Sequence, residues 1–266
     1  MKIGFLILLF VLGAAMGSFA CCMARRMRER EMHRKKPGKW SVCMKCKKRL
    51  KWYDNIPIIS WLVLGGRCRY CKAKIGAVEI LAEVMTAVAF VVVGMKTDFA
   101  TAGAIEWGVL GLMLALMVLL TFLAVYDGMW GELPSICLTL SVVCAIMIVI
   151  LQQWSLFLVG KFTYEGIGNI LGAVIVLSVL YLVLYLVSKG KWVGSGDWIL
   201  GLAIALVIGE PWLATIILML SNLLGFFMAL PKAIKKKEKK VYFGPFMIVA
   251  FIMVLAFSEP LMGLLK

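Results

Sequence analysis

A series of long apolar runs, separated by short polar segments, limits what this chain can fold into. The runs cover residues 3–22, 77–95, 107–126, 135–151, 168–187, 198–209, 212–230 and 241–264. A helix needs about 20 apolar residues to cross a bilayer, and most of these runs approach that length. Hydrophobic residues form 63% of the chain, whereas a soluble domain is about half apolar. The pattern predicts an all-α integral membrane protein with about eight transmembrane helices.

The length of one apolar run does not decide whether that run crosses the membrane. Residues 198–209 are too few for an ordinary crossing, and Glu210 and Pro211 interrupt the apolar pattern before residues 212–230. The short run is either a tilted helix or a re-entrant segment. Two crossings are favoured, because they place residues 232–240 on the same side of the membrane as the other dense basic segments.

The net charge of +15 is confined to a few segments and indicates membrane topology. Of 29 Lys and Arg residues, 25 lie within residues 25–74, 189–191 and 232–240. Basic residues concentrate on the cytoplasmic side of membrane proteins, so we expect all three segments to face the cytoplasm. This distribution favours contact with anionic membrane lipid, and we expect no nucleic acid partner.

Residues 24–76 form a large polar segment with two cysteine pairs. Cys43 and Cys46 make one CxxC pair, Cys68 and Cys71 make a second, and 21 residues separate the pairs. Four thiolates in this pattern suit a tetrahedral structural Zn²⁺ in a small zinc-ribbon-like loop domain. The alternatives are two disulfides or four unrelated thiols, and a reducing cytoplasm disfavours the disulfides. The predicted divisions are a first transmembrane helix (1–23), the cytoplasmic basic four-cysteine loop domain (24–76) and a transmembrane domain (77–266).

Two of the four aspartates in the chain stand at the mouths of apolar runs. Asp127 follows residues 107–126, and Asp197 precedes residues 198–209. A carboxylate at a membrane boundary is costly to desolvate, which makes both residues candidates for a functional site. Two carboxyl groups that share one proton form the dyad of an aspartic protease. In the structural alternative, Asp197 caps the next helix and Asp127 contacts lipid headgroups.

The residues around Asp197 support the functional interpretation. Gly194 and Gly196 flank Ser195 in the sequence before Asp197. Without a Cβ, glycines permit unusual backbone angles and would let an extended substrate lie close to the carboxylate. A Ser-His-Asp triad is excluded as the source of activity, because the single histidine, His33, lies in the basic loop.

An ordered set of motifs extends over most of the chain. The segments are Gly17-Ser18-Phe19 with Arg26, the two CxxC pairs, Asp54-Asn55-Ile56-Pro57-Ile58-Ile59-Ser60-Trp61, Gly66-Arg67-Cys68-Arg69, Val78-Glu79, Asp127 with Pro134, Gly194 to Asp197, and Phe243-Gly244-Pro245-Phe246. This set resembles the type IV prepilin leader peptidase family, which consists of membrane aspartic proteases of the GxGD type. Cys21, Ser135 and Ile199 depart from the family pattern, which often has Asn, Asp and Lys at these places.

The resemblance implies an aspartic endopeptidase in the bacterial inner membrane, with its active site facing the cytoplasm. It implies that Asp127 and Asp197 are catalytic and that Gly194, Gly196 and Pro134 shape the site. The implied substrates are prepilin or pseudopilin precursors, which lose a basic leader.

Two cofactors are expected. The resemblance implies that S-adenosylmethionine would serve N-methylation of the new N-terminus, and the cysteine pattern predicts structural zinc. The alternative from another class is a non-catalytic membrane scaffold with a zinc-binding loop in a secretion or pilus assembly.

Overall fold

The computed structural model describes residues 2–33, 41–97, 102–191, 193–234 and 242–263. Most of the predicted basic segment 232–240 lies outside these residues. Within them the chain is helical, and its β-structure is limited to two isolated bridges. Six described helices are long and apolar enough to cross a membrane, and two shorter apolar helices bring the set to eight. The predicted all-α membrane fold is therefore confirmed.

The helices are α1 (Lys2–His33), α2 (Ile59–Val63), α3 (Ala77–Lys96), α4 (Ala104–Trp130), α5 (Ser135–Leu158), α6 (Tyr164–Val174), α7 (Leu180–Ser188), α8 (Asp197–Ile208), α9 (Pro211–Ile234), α10 (Gly244–Ala256) and α11 (Ser258–Gly263). A 3₁₀ turn (Trp52–Asn55) precedes α2, and a π-helical segment (Ile175–Val179) joins α6 to α7. The chain divides into two compact units, Met1–Met95 and Lys96–Lys266. The division at residues 23 and 76 stays a prediction.

In the first unit, α1 and α3 approach each other closely at two glycines of α1. A Cβ on Gly17 would lie 2.6 Å from the carbonyl oxygen of Ala82, and one on Gly13 would lie 2.8 Å from Ala87 Cα. The earlier glycine of α1, Gly13, lies against the later residue of α3, Ala87, and Gly17 lies against Ala82. The two helices are therefore antiparallel. Small residues spaced four apart let membrane helices pack backbone against backbone, which stabilises pairs that the hydrophobic effect does not drive together in lipid.

The first helix is longer than its apolar run. It continues to His33 and so extends into the basic segment. Arg28 and Glu31 form an ion pair of 3.7 Å on this extension, one helical turn apart. The helix thereby carries charged side chains beyond the apolar span instead of ending where hydrophobicity ends.

In the second unit, α4 and α5 form a hairpin with a tight turn. The turn begins at Gly131, which has a φ of 70° and donates its N–H to the carbonyl oxygen of Asp127. This left-handed residue is the usual way to end a helix, because glycine adopts positive φ without steric cost. Pro134 then leads into α5 with an extended backbone, and its carbonyl accepts the N–H of Leu138 at 3.1 Å.

The 12-residue α8 is enclosed by other helices. It packs against α5, α6, α10 and the π-helical segment, and Leu200 and Ile204 are fully buried. The helix ends at Ile208 before Gly209 with a φ of 65°, and α9 begins at Pro211. The predicted interruption at this point is confirmed. Its 12 residues are fewer than the roughly 20 that a crossing needs, and neighbouring helices cover much of its surface.

Candidate active site and metal centre

The Asp127 side chain lies in the last turn of α4 and is buried. Its Oδ2 accepts the backbone N–H of Gly244 at 3.0 Å. Gly244 is the first residue of α10, where helix N–H groups lack intrahelical acceptors and the helix dipole favours negative charge. A Cβ on Gly244 would lie 2.7 Å from Asp127 Oδ2, so the contact requires glycine.

The Asp197 side chain is held in a similar way at the start of α8. Its Oδ2 accepts the backbone N–H of Gly194 at 2.8 Å, and its own N–H donates to the Gly194 carbonyl at 3.3 Å. The residue is buried. The backbone N–H of Gly194 thus holds the carboxylate three residues later.

Gly196 brings this turn against the loop that follows Asp127. A Cβ on Gly196 would lie 2.7 Å from Leu133 Cδ1 and 3.2 Å from Leu138 Cδ1. Leu133 precedes Pro134, the residue that leads into α5. The structure therefore brings Gly194, Gly196, Pro134 and both aspartates into one region of the second unit.

The two carboxyl groups are close enough to interact electrostatically. The charge of Asp197 acts on Asp127, although 70 positions separate them in the sequence. Each carboxylate accepts one N–H from a glycine backbone. Both carboxyls are buried within the second unit.

The π-helical segment fixes the start of α8. Ser178 Oγ donates to the carbonyl oxygen of Trp198 at 3.1 Å. A Cβ on Gly201 would collide with the Leu177 carbonyl oxygen, so the widened turn packs directly on the α8 backbone. π-bulges are rare and occur frequently at functional sites. Here the segment positions the helix that carries Asp197.

The four cysteines of the first unit converge on one point. The sulfurs of Cys43, Cys46, Cys68 and Cys71 all lie within 4.8 Å of one another. Cys43 Sγ and Cys71 Sγ are 3.8 Å apart, and a tetrahedral site with Zn–S bonds of about 2.3 Å places its sulfurs about 3.8 Å apart. All four are free thiols, so the two-disulfide alternative does not describe this structure.

The two CxxC turns have the same backbone geometry. In each, the N–H of the first cysteine donates to the carbonyl five residues later, and the N–H of the residue after the second cysteine donates back to the first. Each turn has a left-handed lysine at that place, Lys47 with a φ of 56° and Lys72 with a φ of 55°. The N–H of Cys46 lowers the pKa of the Cys43 thiol, whereas the pKa of the Cys71 thiol is raised, against the N–H of Ala73, by desolvation and by the other three cysteines.

The segment between the cysteine pairs is tied to both the loop and α3. Asp54 accepts a hydrogen bond from Arg69 Nε at 2.7 Å, and Arg69 belongs to the second CxxC turn. Farther along, Ile58 donates its N–H to the buried Glu83 carboxylate of α3 at 2.7 Å. Ile58 has a φ of 61°, an unfavourable conformation for a β-branched residue. The Glu83 contact holds it there.

The sequence did not identify two elements of the site in the second unit. Gly244 is part of one of the motifs that resemble the family. Its local sequence, however, indicates only the start of a helix with Pro245 in the first turn. The π-helical segment lies inside an uninterrupted apolar run and has no composition that distinguishes it. No local signal points to either contact, because both depend on residues distant in the sequence.

The fold and the site define a helical membrane protein of many spans, with a buried carboxyl pair and a four-cysteine loop. Residues 11–97 match the family described as Bacterial Peptidase A24 N-terminal domain. The chain is 34% identical over 220 residues to a prepilin leader peptidase/N-methyltransferase of Aeromonas hydrophila. The aligned region covers 79% of this chain and 69% of that protein. The chain belongs to the prepilin leader peptidase/N-methyltransferase family, and the resemblance noted from its motifs is confirmed.

Other relatives of the same description agree. The protein from Dichelobacter nodosus is 30% identical over 214 residues, covering 79% of this chain and 68% of its own length. The protein from Vibrio cholerae serotype O1 is 26% identical over 263 residues, covering 96% of this chain and 97% of its own length. No solved structure matches the chain significantly.

Proposed function

We propose that this protein is a prepilin leader peptidase that cleaves type IV prepilin-like or pseudopilin precursors with Asp127 and Asp197. The single observation that supports the proposal is the presence in the second unit of two buried carboxyls that interact electrostatically, each held by a glycine N–H. The relatives' shared description as prepilin leader peptidases supplies the substrate class. The cut would release the basic leader at the cytoplasmic membrane face, and the clustering of basic residues in the loops supports this orientation.

The chemistry that such a pair performs is peptide hydrolysis. The ionised aspartate takes a proton from water, the water oxygen bonds to the scissile carbonyl carbon, and the protonated aspartate gives its proton to the carbonyl oxygen. In the collapse of this intermediate, one aspartic acid protonates the leaving nitrogen while the other carboxylate takes back a hydroxyl proton. The C–N bond then breaks, and the pair returns to its starting protonation.

Substitution of each aspartate by asparagine tests this proposal. Asp127→Asn and Asp197→Asn keep the side-chain shape and remove the ability to share a proton. We expect each to lower the rate of cleavage of a purified prepilin by about 10²- to 10⁴-fold. Glu165→Gln is the matched control, since it makes the same change at an exposed position in the first turn of α6 and should cleave at the wild-type rate.

The same experiment separates the enzyme from the scaffold alternative. If both asparagine variants remained folded and processed prepilin as fast as the wild type, the protein would be a non-catalytic membrane scaffold in a secretion or pilus assembly. Circular dichroism and thermal unfolding of the purified variants in detergent establish that the comparison is made between folded proteins.

The four-cysteine site would hold one structural zinc ion. The sulfur spacing and the two matching turns fit a tetrahedral metal. Zinc bound there would stabilise a small loop that is too charged to build an apolar core. The cysteines would thereby set the positions of Arg69 and Asp54.

A second activity, N-methylation of the newly formed N-terminus, is proposed from the description of the relatives. S-adenosylmethionine supplies the methyl group when bound. Arg25 and Glu79 form an ion pair in the first unit, and Arg25 Nε and Glu79 Oε2 are buried without a hydrogen-bond partner. These two atoms fit the carboxylate and ammonium groups of an amino acid, which the methyl donor carries.

Equilibrium dialysis with radiolabelled S-adenosylmethionine tests this fit without relying on turnover. We expect Glu79→Gln to weaken binding by about tenfold, because a charge-assisted hydrogen bond is lost. Incubation with a prepilin tests the transfer itself, and an unlabelled mature product would remove the methyltransferase proposal while leaving the peptidase intact.

A further inference from the structure

Tyr181 is a buried aromatic residue near the start of α7, beside the segment that holds Asp127. It is 4% exposed, and its ring packs on Phe243 with centroids 5.4 Å apart. Phe243 directly precedes Gly244, the donor to Asp127. One side of Tyr181 is therefore fixed by the segment that positions the first carboxylate.

The direction of the helices places Tyr181 beside the second carboxylate. Leu177 contacts Gly201 and Ser178 contacts Trp198, so this helix and α8 are antiparallel. Tyr181 lies three residues beyond Ser178 along this antiparallel helix, which brings it level with the start of α8. The charge of Asp197 acts on Tyr181, in agreement with this placement.

The Tyr181 hydroxyl is buried and has no hydrogen-bond partner at normal distance. Ser221 and Asn222 lie near it, but neither makes a hydrogen bond with it, and their own donors go to the Leu218 carbonyl, at 3.0 Å and 2.7 Å. A buried tyrosine usually pairs its hydroxyl, because an unpaired polar group in an apolar surrounding is destabilising. The donor is thus available to an acceptor that appears during the reaction cycle.

We propose that Tyr181 is a positioning residue of the acid pair, whose hydroxyl donates a hydrogen bond to Asp197 when Asp197 carries the pair's negative charge. This inference rests on the proposed peptidase function. Asp127 and Asp197 each accept one glycine N–H, so the number of these backbone contacts does not distinguish them. The Tyr181 hydroxyl gives Asp197 a second donor, which favours ionisation of Asp197 over ionisation of Asp127. Asp197 therefore takes the proton from water, and Asp127 gives its proton to the scissile carbonyl oxygen.

Tyr181→Phe removes the hydroxyl and preserves the ring that packs on Phe243. We expect kcat for prepilin cleavage to fall roughly ten- to hundredfold, the loss for a hydrogen bond to a charged group, with KM and the melting temperature unchanged. The acid limb of the pH profile of kcat should move to higher pH, because the ionised form of Asp197 loses a donor. Asp127 and Tyr181 are two titratable side chains on which the charge of Asp197 acts.

Tyr185→Phe is the matched control, one turn farther along α7. The Tyr185 ring contacts Gly190, so its variant should match the wild type in kcat and in pH profile. If Tyr181→Phe folds poorly, replacement of Tyr181 alone by 3-fluorotyrosine keeps the shape and makes the hydroxyl a stronger donor. This replacement should move the acid limb to lower pH, opposite to the phenylalanine variant.

The outcomes separate this inference from the function on which it rests. Wild-type kcat and pH profile in the Tyr181 variants, with Asp197→Asn inactive, would overturn the role of Tyr181 and leave the acid pair in place. Wild-type cleavage by Asp127→Asn and Asp197→Asn would instead overturn the peptidase proposal. An equal loss in Tyr181→Phe and Tyr185→Phe would indicate a packing effect of α7 and would also overturn the role of Tyr181.

Discussion

Gly244 donates its backbone N–H to the carboxylate of Asp127 across a separation of 117 residues in the chain. The contact joins the end of α4 to the beginning of α10, and it orients one acid of the proposed pair. The segment Phe243-Gly244-Pro245-Phe246 therefore has two roles, since it starts a helix and supplies a donor to the site.

Gly244→Ala should inactivate the enzyme without unfolding it. The added Cβ would lie 2.7 Å from Asp127 Oδ2 and displace the carboxylate, and a misplacement of about 1 Å can cost about 10²-fold in rate. Prepilin cleavage by purified protein is the measurement. Gly225→Ala is the control, because its Cβ would meet Phe246 and Phe243 at ordinary distances of 3.6 Å or more. Equal activity in the two variants would contradict the proposed importance of the Gly244 contact.

The close packing of α1 on α3 should be sensitive to one methyl group. Gly17→Ala places a Cβ 2.6 Å from the Ala82 carbonyl oxygen, and we expect a loss of about 1–3 kcal/mol in unfolding free energy from overpacking. Thermal unfolding in detergent measures it. Gly4→Ala on the same helix meets nothing within 4 Å and should be neutral or slightly stabilising. A Gly17→Ala protein as stable as Gly4→Ala would mean that the helices are less tightly packed than described.

Removal of one cysteine ligand should release the metal but spare proteolysis. For Cys43→Ser we expect bound zinc, measured by atomic emission on protein purified in zinc buffer, to fall from about one ion per chain to a small fraction. The loop should become more susceptible to limited proteolysis. Cys137→Ser changes a thiol of α5 outside the cluster and should retain the metal. Unchanged zinc in Cys43→Ser would argue against a four-thiolate site.

The Glu83 carboxylate should control the mobility of the segment around Ile58. Glu83→Leu leaves the Ile58 N–H without its acceptor and should destabilise this contact by about 1–3 kcal/mol. Glu83→Gln keeps a carbonyl acceptor and should have a smaller effect. Hydrogen exchange of peptides covering residues 54–61 is the measurement, with faster exchange expected in Glu83→Leu. Identical protection in the three proteins would show that Glu83 does not hold this turn.

The features that sequence predicted well are those with a local physical signature. Apolar length predicted the helices, and the interruption was predicted from Glu210 and Pro211, which break the apolar pattern. The Cys43 and Cys68 pairs predicted a cluster, because a CxxC turn presents two sulfurs to one point. Asp127 and Asp197 were identified as candidates because a carboxylate beside a long apolar run is costly and therefore uncommon; their catalytic role stays a proposal.

The features that sequence did not predict depend on packing between distant segments. Nothing near Gly244 indicates that a carboxylate lies against it, and Tyr181 resembles any aromatic residue in an apolar helix. The contact of Glu83 with the strained Ile58 requires the folded loop. In each case the partner lies in another element, so local periodicity and propensity carry no information about it.

The π-helical segment Ile175–Val179 makes its helix unequally tolerant of changes in length. A widened turn already contains one residue more than regular α geometry needs, so deletion of one residue there can be absorbed by a return to the regular turn. Insertion of one residue cannot be absorbed in this way. It would rotate the part of the helix that follows by about 100° about the helix axis. Tyr181 would then turn away from Phe243. The number of residues in this span would thereby determine how Tyr181 is oriented toward the acid pair.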